Sequence, residues 1–337
     1  MQTRSRKRRL DHDRATALAN SDAEVRYAAL VTIRWLDQAA LTLHAGAIAA
    51  LLTDAVPIVR KAAAEALGNL HPDKLVLHAG AIVGVLADAE YKVRYVAIMT
   101  LRRLDRAAFT LHADAIAALL VDANGLVRKA AVEALGELHP EKLVFHAGAI
   151  VSILADPDVR VRFCAVETIC RIDQAALTQH ANAIAALLTD AVPFVRCAAV
   201  KALGKLHPAA LSLHAVCIAD AIFDLLAEAD WEIRLRAYRF IDPQDGLVML
   251  PPDALERTLD VVRKTVLTES HAWVVDKAIQ TLRALQQRRA QLHWATARVY
   301  RVRKYGTHWY EDVLVKLCAP GGKWAERDHA AFEADFI

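Results

Sequence analysis

Val25-Arg26, Val59-Arg60, Val93-Arg94, Val127-Arg128, Val161-Arg162 and Val195-Arg196 recur with a constant 34-residue step, six times without a slip. A fixed period of this size constrains the fold more than any composition does. So short a unit cannot bury its own apolar face and must stack on its neighbours, which is the signature of a solenoid. Other positions keep the same phase: His44, His78, His112, His146, His180 and His214, and Asp54, Asp88, Asp122, Asp156 and Asp190, each six residues before an arginine. A second period is superimposed. Odd units close their first helix with Leu36-Asp37-Gln38, Leu104-Asp105-Arg106 and Ile172-Asp173-Gln174, and even units with Leu70-His71-Pro72, Leu138-His139-Pro140 and Leu206-His207-Pro208. The duplicated block is therefore a pair of units, present three times.

Within one unit, Val59, Ala62, Ala63, Ala66, Leu67 and Leu70 follow the three-and-four spacing of a single helical face, predicting a first helix. Gly68 and then His71-Pro72 mark a stop and a restart. Leu75, Ala79, Ile82 and Leu86 form the buried stripe of a second helix, so each unit is an antiparallel helix pair. The expected fold is an all-α solenoid, a superhelix of stacked helix pairs.

An acidic residue six before an arginine, Val-Arg-x-Ala-Ala, a Leu-Gly and a second helix ending Leu-x-Asp together resemble the HEAT repeat, particularly the short repeats of phycobilisome-lyase-like proteins. The resemblance covers about residues 13 to 240. It implies a structural role for Asp54 with Arg60, Asp88 with Arg94, Asp122 with Arg128, Asp156 with Arg162 and Asp190 with Arg196, tying one turn to the next. It implies no single function, because HEAT arrays carry scaffolding, transport, lyase and DNA-repair roles alike.

The ends depart from the pattern. Residues 13 to 20 align only with the last turns of a second helix, and Asn20 stands where Asp54 does. Later, the spacing lengthens at Ile233-Arg234, and Pro243, Gly246, Pro251 and Pro252 interrupt it. The expected organisation is a basic segment with a partial repeat (1–20), the repeat array (21–242), a linker (243–252), degenerate helical repeats (253–304) with a helix running over 271 to 304, and an aromatic, acidic extension (305–337).

Charge is unevenly placed. Residues 1–20 carry +4, 255–304 carry +7 and 305–337 carry −3, leaving the repeats at −5 within a net +3. A polyanion would have to bind the ends, so nucleic acid is not the expected partner. No run of 18 uncharged apolar residues occurs, which argues against a membrane partner, and five cysteines without paired spacing fit a reducing compartment, cytoplasm or nucleus. Arg4-Ser5-Arg6-Lys7-Arg8-Arg9 is a candidate nuclear import signal.

Catalytic motifs are absent: there is no Cys-x-x-Cys, no His-Glu-x-x-His and no Gly-x-Ser-x-Gly. The His-Glu metal motifs of HEAT-repeat deoxyhypusine hydroxylases are missing too. The histidine row is read as structural rather than metal-binding, because stacked helices lie roughly 8–10 Å apart and Zn–N bonds are only about 2 Å. No cofactor or metal is expected, and no enzyme.

Two places, the aromatic ridge of the odd units on the first helices and the aromatic, basic region towards the C-terminus, are the contact candidates. On the first helices, the position two after the valine alternates Tyr27, Lys61, Tyr95, Lys129, Phe163 and Cys197, and odd units add Arg34, Trp35 and Arg102. Lys61 with Glu65 and Lys129 with Glu133 read as ordinary solvated pairs, whereas exposed Tyr and Arg are favoured at interfaces. On the second helices, Ala49, Ala50, Thr53, Val83, Gly84, Ala87, Ala117, Ala118, Val151, Ser152, Ala185 and Ala186 leave an uncharged, small-residue face that suits an apolar partner helix or close self-packing. Towards the C-terminus, five of six tryptophans fall from Trp231 onwards, and Trp294, Arg298, Tyr300, Arg301, Arg303 and Trp309 combine charge with stacking surface. The expected function is a non-enzymatic protein-interaction scaffold. The alternatives are a phycobilin-lyase-like or chaperone-like factor holding an apolar cofactor or partner, and nucleic-acid binding through the basic ends.

Overall fold

The computed structural model describes residues 13–241 and 252–291 and three short strands. The chain divides into two compact units, Met1–Ala176 and Leu177–Ile337. Residues 1–12, which hold the candidate import signal, and 242–251, which hold nearly all of the expected linker, lie outside the described residues.

The first unit stacks five first helices of eleven residues each: Ala23–Ile33, Pro57–Leu67, Tyr91–Leu101, Gly125–Leu135 and Val159–Ile169. Each packs on the next, and the repeated valine is the centre of the seam: Val59, Val93, Val127 and Val161 are fully buried. Val25, first in the series, remains exposed. The helix starts are locally encoded. Pro57 sits at a first helical position, where its missing N–H has no partner to lose, and the Asn124 and Asp158 side chains accept from the amides two residues on. Asp37 and Asp105, from the odd-unit Leu-Asp motif, cap the following helix by accepting from the Ala40 and Ala108 amides.

The second helices differ from the expectation of one continuous rod per unit. Gln38–Ala50 is continuous, but in the next three units the helix is interrupted at the repeated histidine. The backbone at His78, His112 and His146 has φ near −103 to −113° and ψ near 0°, the sparsely populated bridge between helix and strand. Short helical pieces on either side still bury the predicted stripe, for example Leu75, Ala79, Ile82 and Leu86. Among these repeated histidines His44 is buried, whereas His78, His112 and His146 are half-buried.

A continuous ladder of ion pairs runs across the unit. Arg60 Nε and Nη2 donate to the Asp88 carboxylate at 2.5 and 2.7 Å, while its Nη1 donates to the Asp54 carbonyl at 2.8 Å. Arg26 meets Asp54, Arg94 meets Asp122 and Arg128 meets Asp156 in the same bidentate manner. The carboxylate of each aspartate thus belongs to the arginine of the preceding repeat, 28 residues before it. The arginine six residues after it takes only its carbonyl. Each carboxylate also accepts the amide two residues on, as Asp88 does from Glu90. One guanidinium therefore closes the turn of its own repeat and grips the turn of the next. Asn20, in place of the aspartate, still supplies its carbonyl to Arg26 and its side chain to the Asp22 amide.

Odd and even seams differ. Where an even unit meets the following odd one, Thr100 Oγ1 lies buried and donates to the Ala64 carbonyl at 3.0 Å, over Gly68. A Cβ on Gly68 would stand 3.3 Å from that oxygen, and one on Gly136 3.2 Å from Thr168 Oγ1. Where an odd unit meets the following even one, charge takes over: Arg34 reaches Glu65, and Gln38 donates to the Asn69 carbonyl while accepting the His71 amide. This alternation is the physical content of the two-unit block.

The second unit carries Ala181–Ala185, Pro193–Leu203 packed on Pro208–Leu226, Trp231–Ile241, and Pro252–Thr268 packed on Ala272–Gln291. The ladder persists there in altered form, with glutamate for aspartate: Arg196 pairs with Glu228, and Arg234 grips Glu269 at 2.7 and 2.9 Å. The longer carboxylate arm accompanies the longer spacing of 32 and 35 residues. Pro208–Leu226 is long and apolar enough to cross a membrane by composition, but Leu211, Ile218, Ile222 and Leu225 are buried within the unit. The helix expected to run to 304 ends at Gln291. Ala297–Arg298 instead forms a strand, pairing antiparallel with Lys316–Cys318, which pairs with Trp324–Ala325.

Candidate interaction faces

On the first helices, Tyr27 and Tyr95 are exposed and Phe163 is half-buried. The arginines beside them are engaged within the fold. Arg34 Nη1 lies 3.3 Å from Glu65, which also holds Lys61 at 2.9 Å. Arg102 donates to Glu137 through Nε at 2.8 Å and lies beside Glu133, which holds Lys129 at 2.6 Å. Lys61–Glu65 and Lys129–Glu133, read as plain surface pairs, are completed across the seam by the odd-unit arginines. Arg34 also lies over the ring of Trp35, 5.3 Å from its centroid, and Trp35 is 78% exposed. What remains available on this face is aromatic surface rather than free positive charge.

Of the C-terminal candidates, Trp294, Tyr300, Arg301, Arg303 and Trp309 lie outside the described residues, and Arg298 is placed on the first short strand. The sequence pattern does not single out a neighbouring group. Trp231 stacks on His271 with centroids 4.0 Å apart and an interplanar angle of 6°, and exposed Trp273 meets both edge-on.

The second helices of the first unit hold a larger surface than their small residues suggested. Leu43, Leu77, Leu111 and Phe145, each immediately before a repeated histidine, are 65, 73, 80 and 79% exposed. One stands in each repeat at the same position, so together they form a row. At three, four and seven residues beyond each lie Gly46, Ala47 and Ala50; Gly80, Ala81 and Gly84; Asp114, Ala115 and Ala118; and Gly148, Ala149 and Ser152, all exposed except half-buried Ala115. In Gln38–Ala50 this is the spacing of one helical face; in the next three repeats the break at the histidine falls between the large residue and the small ones, and what they share is exposure. Ala50, Gly84, Ala118 and Ser152 belong to the small-residue face seen in the sequence. The signal for the large members was present in the same register, in the residue preceding each histidine. Solvated apolar rows of this regularity mark interaction surfaces in soluble proteins. Only Asp114 among these sixteen positions carries charge, and its carboxylate lies 3.9 Å from His146 Nδ1.

Among the described residues no group of three histidine, cysteine or acidic side chains could hold a metal ion. Cys164, Cys197 and Cys217 are free thiols, and burial pushes Cys164 and Cys197 up to about 11, away from nucleophilic reactivity.

Helix pairs repeating at a fixed period and locked by an arginine ladder define an α-solenoid of the helical-repeat class. The HEAT-repeat family model matches residues 46–73 and 181–210. No curated protein matches the chain. Among solved structures, an engineered protein aligns with a TM-score of 0.54 at 21% identity, over 81% of this chain and 77% of its own, which agrees with the fold. A designed armadillo repeat protein solved in complex with a (KR)4 peptide aligns with a TM-score of 0.48 at 20% identity, over 58% of this chain and 98% of its own.

Proposed function

We propose that this chain is a non-enzymatic protein-interaction scaffold whose contact face is the apolar row on the second helices of the first unit. The observation that carries this reading is the exposure of Leu43, Leu77, Leu111 and Phe145 at strict repeat spacing. Four large apolar side chains in water on one face gain from being covered, each by about 1.5–3 kcal/mol on full burial. The engagement of Arg34 and Arg102 by Glu65 and Glu137 makes the first-helix face the lesser candidate. The protein's place is a reducing compartment, cytoplasm or nucleus, a reading supported by the free thiols of Cys164, Cys197 and Cys217.

The test is a nuclease-treated capture from native extract with three baits: the unaltered chain, Leu77→Asp/Leu111→Asp, and Tyr27→Asp/Tyr95→Asp. Partners lost with the first variant and kept with the second support the row. Loss only with the second moves function to the first helices and defeats the assignment. A visible-absorbance change on mixing with a bilin, abolished in the Leu77→Asp/Leu111→Asp chain, would replace the scaffold by the lyase-like alternative.

A further inference from the structure

Resting on the reading of the row as a contact face, we infer that its occupant is a single amphipathic α-helix, about 20 residues in length at the usual helical rise, lying along the four repeats with its own apolar residues at heptad spacing.

Dimensions come first. From Leu43 to Ala50 is seven residues of helix, about 10 Å. Stacked helices lie roughly 8–10 Å apart, so four repeats extend the row over about 30 Å. The strip is thus about 10 Å wide and 30 Å long, roughly 300 Å² in plan. A second copy of the chain seated on it alone falls well short of the roughly 800 Å² per partner of a standard interface. One helix is about 10 Å across, and about 20 residues of it span about 30 Å. Its heptad rise, also about 10 Å, matches one repeat per seven residues.

The glycines give an independent argument. A Cβ added at Gly46, Gly80 or Gly148 would meet nothing within 4 Å. None has the positive φ that requires glycine. Nothing in the chain's own packing calls for glycine at these positions, yet Gly46, inside Gln38–Ala50, weakens its helix by roughly 0.5–1 kcal/mol relative to alanine. They alternate with the large side chains along the face, Leu43 then Gly46, Leu77 then Gly80, Phe145 then Gly148. Leu43 and Gly46, one turn apart on a continuous helix, form a knob followed by an empty notch, the relief into which the side chains of a crossing helix interdigitate, and Leu77 with Gly80 and Phe145 with Gly148 expose the same pair across the break at the histidine. Asp114 fills the equivalent place in the third repeat and is fully exposed, so the incoming helix carries a lysine or arginine at that rung.

The probe is a fluorescein-labelled amphipathic peptide, about 20 residues long to match the strip, with leucine at the first and fourth heptad positions and lysine among its flanking residues. It is compared with a composition-matched scramble and a glutamate-flanked version by fluorescence anisotropy against the full chain. The amphipathic lysine peptide is expected to bind at least tenfold more tightly than the scramble. Gly80→Leu/Gly148→Leu, which fills the notches, should weaken binding tenfold or more with unchanged circular dichroism. Asp114→Lys should reverse the preference between the two flanks. Equal binding of the scramble, no binding, or indifference to the filled notches overturns the inference. If sedimentation shows the chain self-associating through this face, in a manner abolished by Leu77→Asp, a second copy is the occupant. That outcome overturns the helix but leaves the contact-face reading standing, whereas retention of every captured partner by Leu77→Asp/Leu111→Asp removes both.

Discussion

At the scale of single residues, each of Arg26, Arg60, Arg94 and Arg128 does the work of three conventional contacts. Its planar fork meets a carboxylate two-on-two, and its third donor reaches a carbonyl that would otherwise be left open at the turn. The carboxylates respond accordingly. The Arg26 hydrogen bond holds Asp54 below the usual carboxylate range. Burial alone would raise Asp88 and Asp122, but the hydrogen bonds from Arg60 and Arg94, with those from the Glu90 and Asn124 amides, outweigh it and hold both low. A group with a depressed folded-state pKa contributes stability that is fully present above its unfolded value, near 3.9 for aspartate, and is lost as pH falls through the folded value. The melting temperature should therefore be flat from pH 7 to about 5 and fall steeply below about 4. Asp88→Asn/Asp122→Asn should lower the melting temperature at pH 7 and flatten its acid limb. A limb of unchanged steepness in that variant would show that other groups carry the acid sensitivity.

At the scale of elements, glycines with the same label have opposite meanings. Gly68 ends a first helix beneath Thr100, and Gly80 stands in a second helix facing open space. Gly68→Ala forces a methyl against the Thr100 hydroxyl and the Glu65 carbonyl and should destabilise by about 1–2 kcal/mol. Gly80→Ala should instead stabilise by about 0.5–1 kcal/mol. Urea denaturation of the two variants checks both signs at once. The difference is invisible to sequence reading, which sees two helical glycines. The repeat itself was legible, because Val59, Ala63, Leu67, Leu75 and Ile82 signal their burial through spacing alone. The interruption of the second helix at His78 was not, since no proline or glycine stands there and the break is a matter of backbone angle. The exposed row was half legible. Its small members drew notice for lacking charge, whereas Leu77 and Leu111 pass in a sequence for ordinary core residues of an apolar stretch. The Arg60–Asp88 pairing was legible only as a motif, because the chain shows Asp54 nearer to Arg60 and the stacking decides which carboxylate the guanidinium reaches.

At the scale of the whole molecule, stability in such an array is a sum of repeat terms and nearest-neighbour seams rather than one shared core. Damage should stay local. Arg94→Met strands the Asp122 carboxylate at one seam and the Asp88 carbonyl at another. Hydrogen exchange of this variant should show protection lost over residues 88 to 135, with the amides of Ala23–Ile33 little changed. Uniform loss across the first unit would mean that its repeats open as one body.

The alternation of seams reaches beyond stability to how such a gene can change length. Arg34 and Gly68 occupy equivalent positions in successive repeats, as do Arg102 and Gly136. Excising one repeat would set Arg34 against Thr100, where the chain now has no room for even a methyl group without displacement. Excising the second and third repeats together would instead set Arg34 against Glu133, the counterpart of Glu65. Recombination among these first four repeats therefore favours even steps, and functional variants of different length should differ by whole two-repeat blocks.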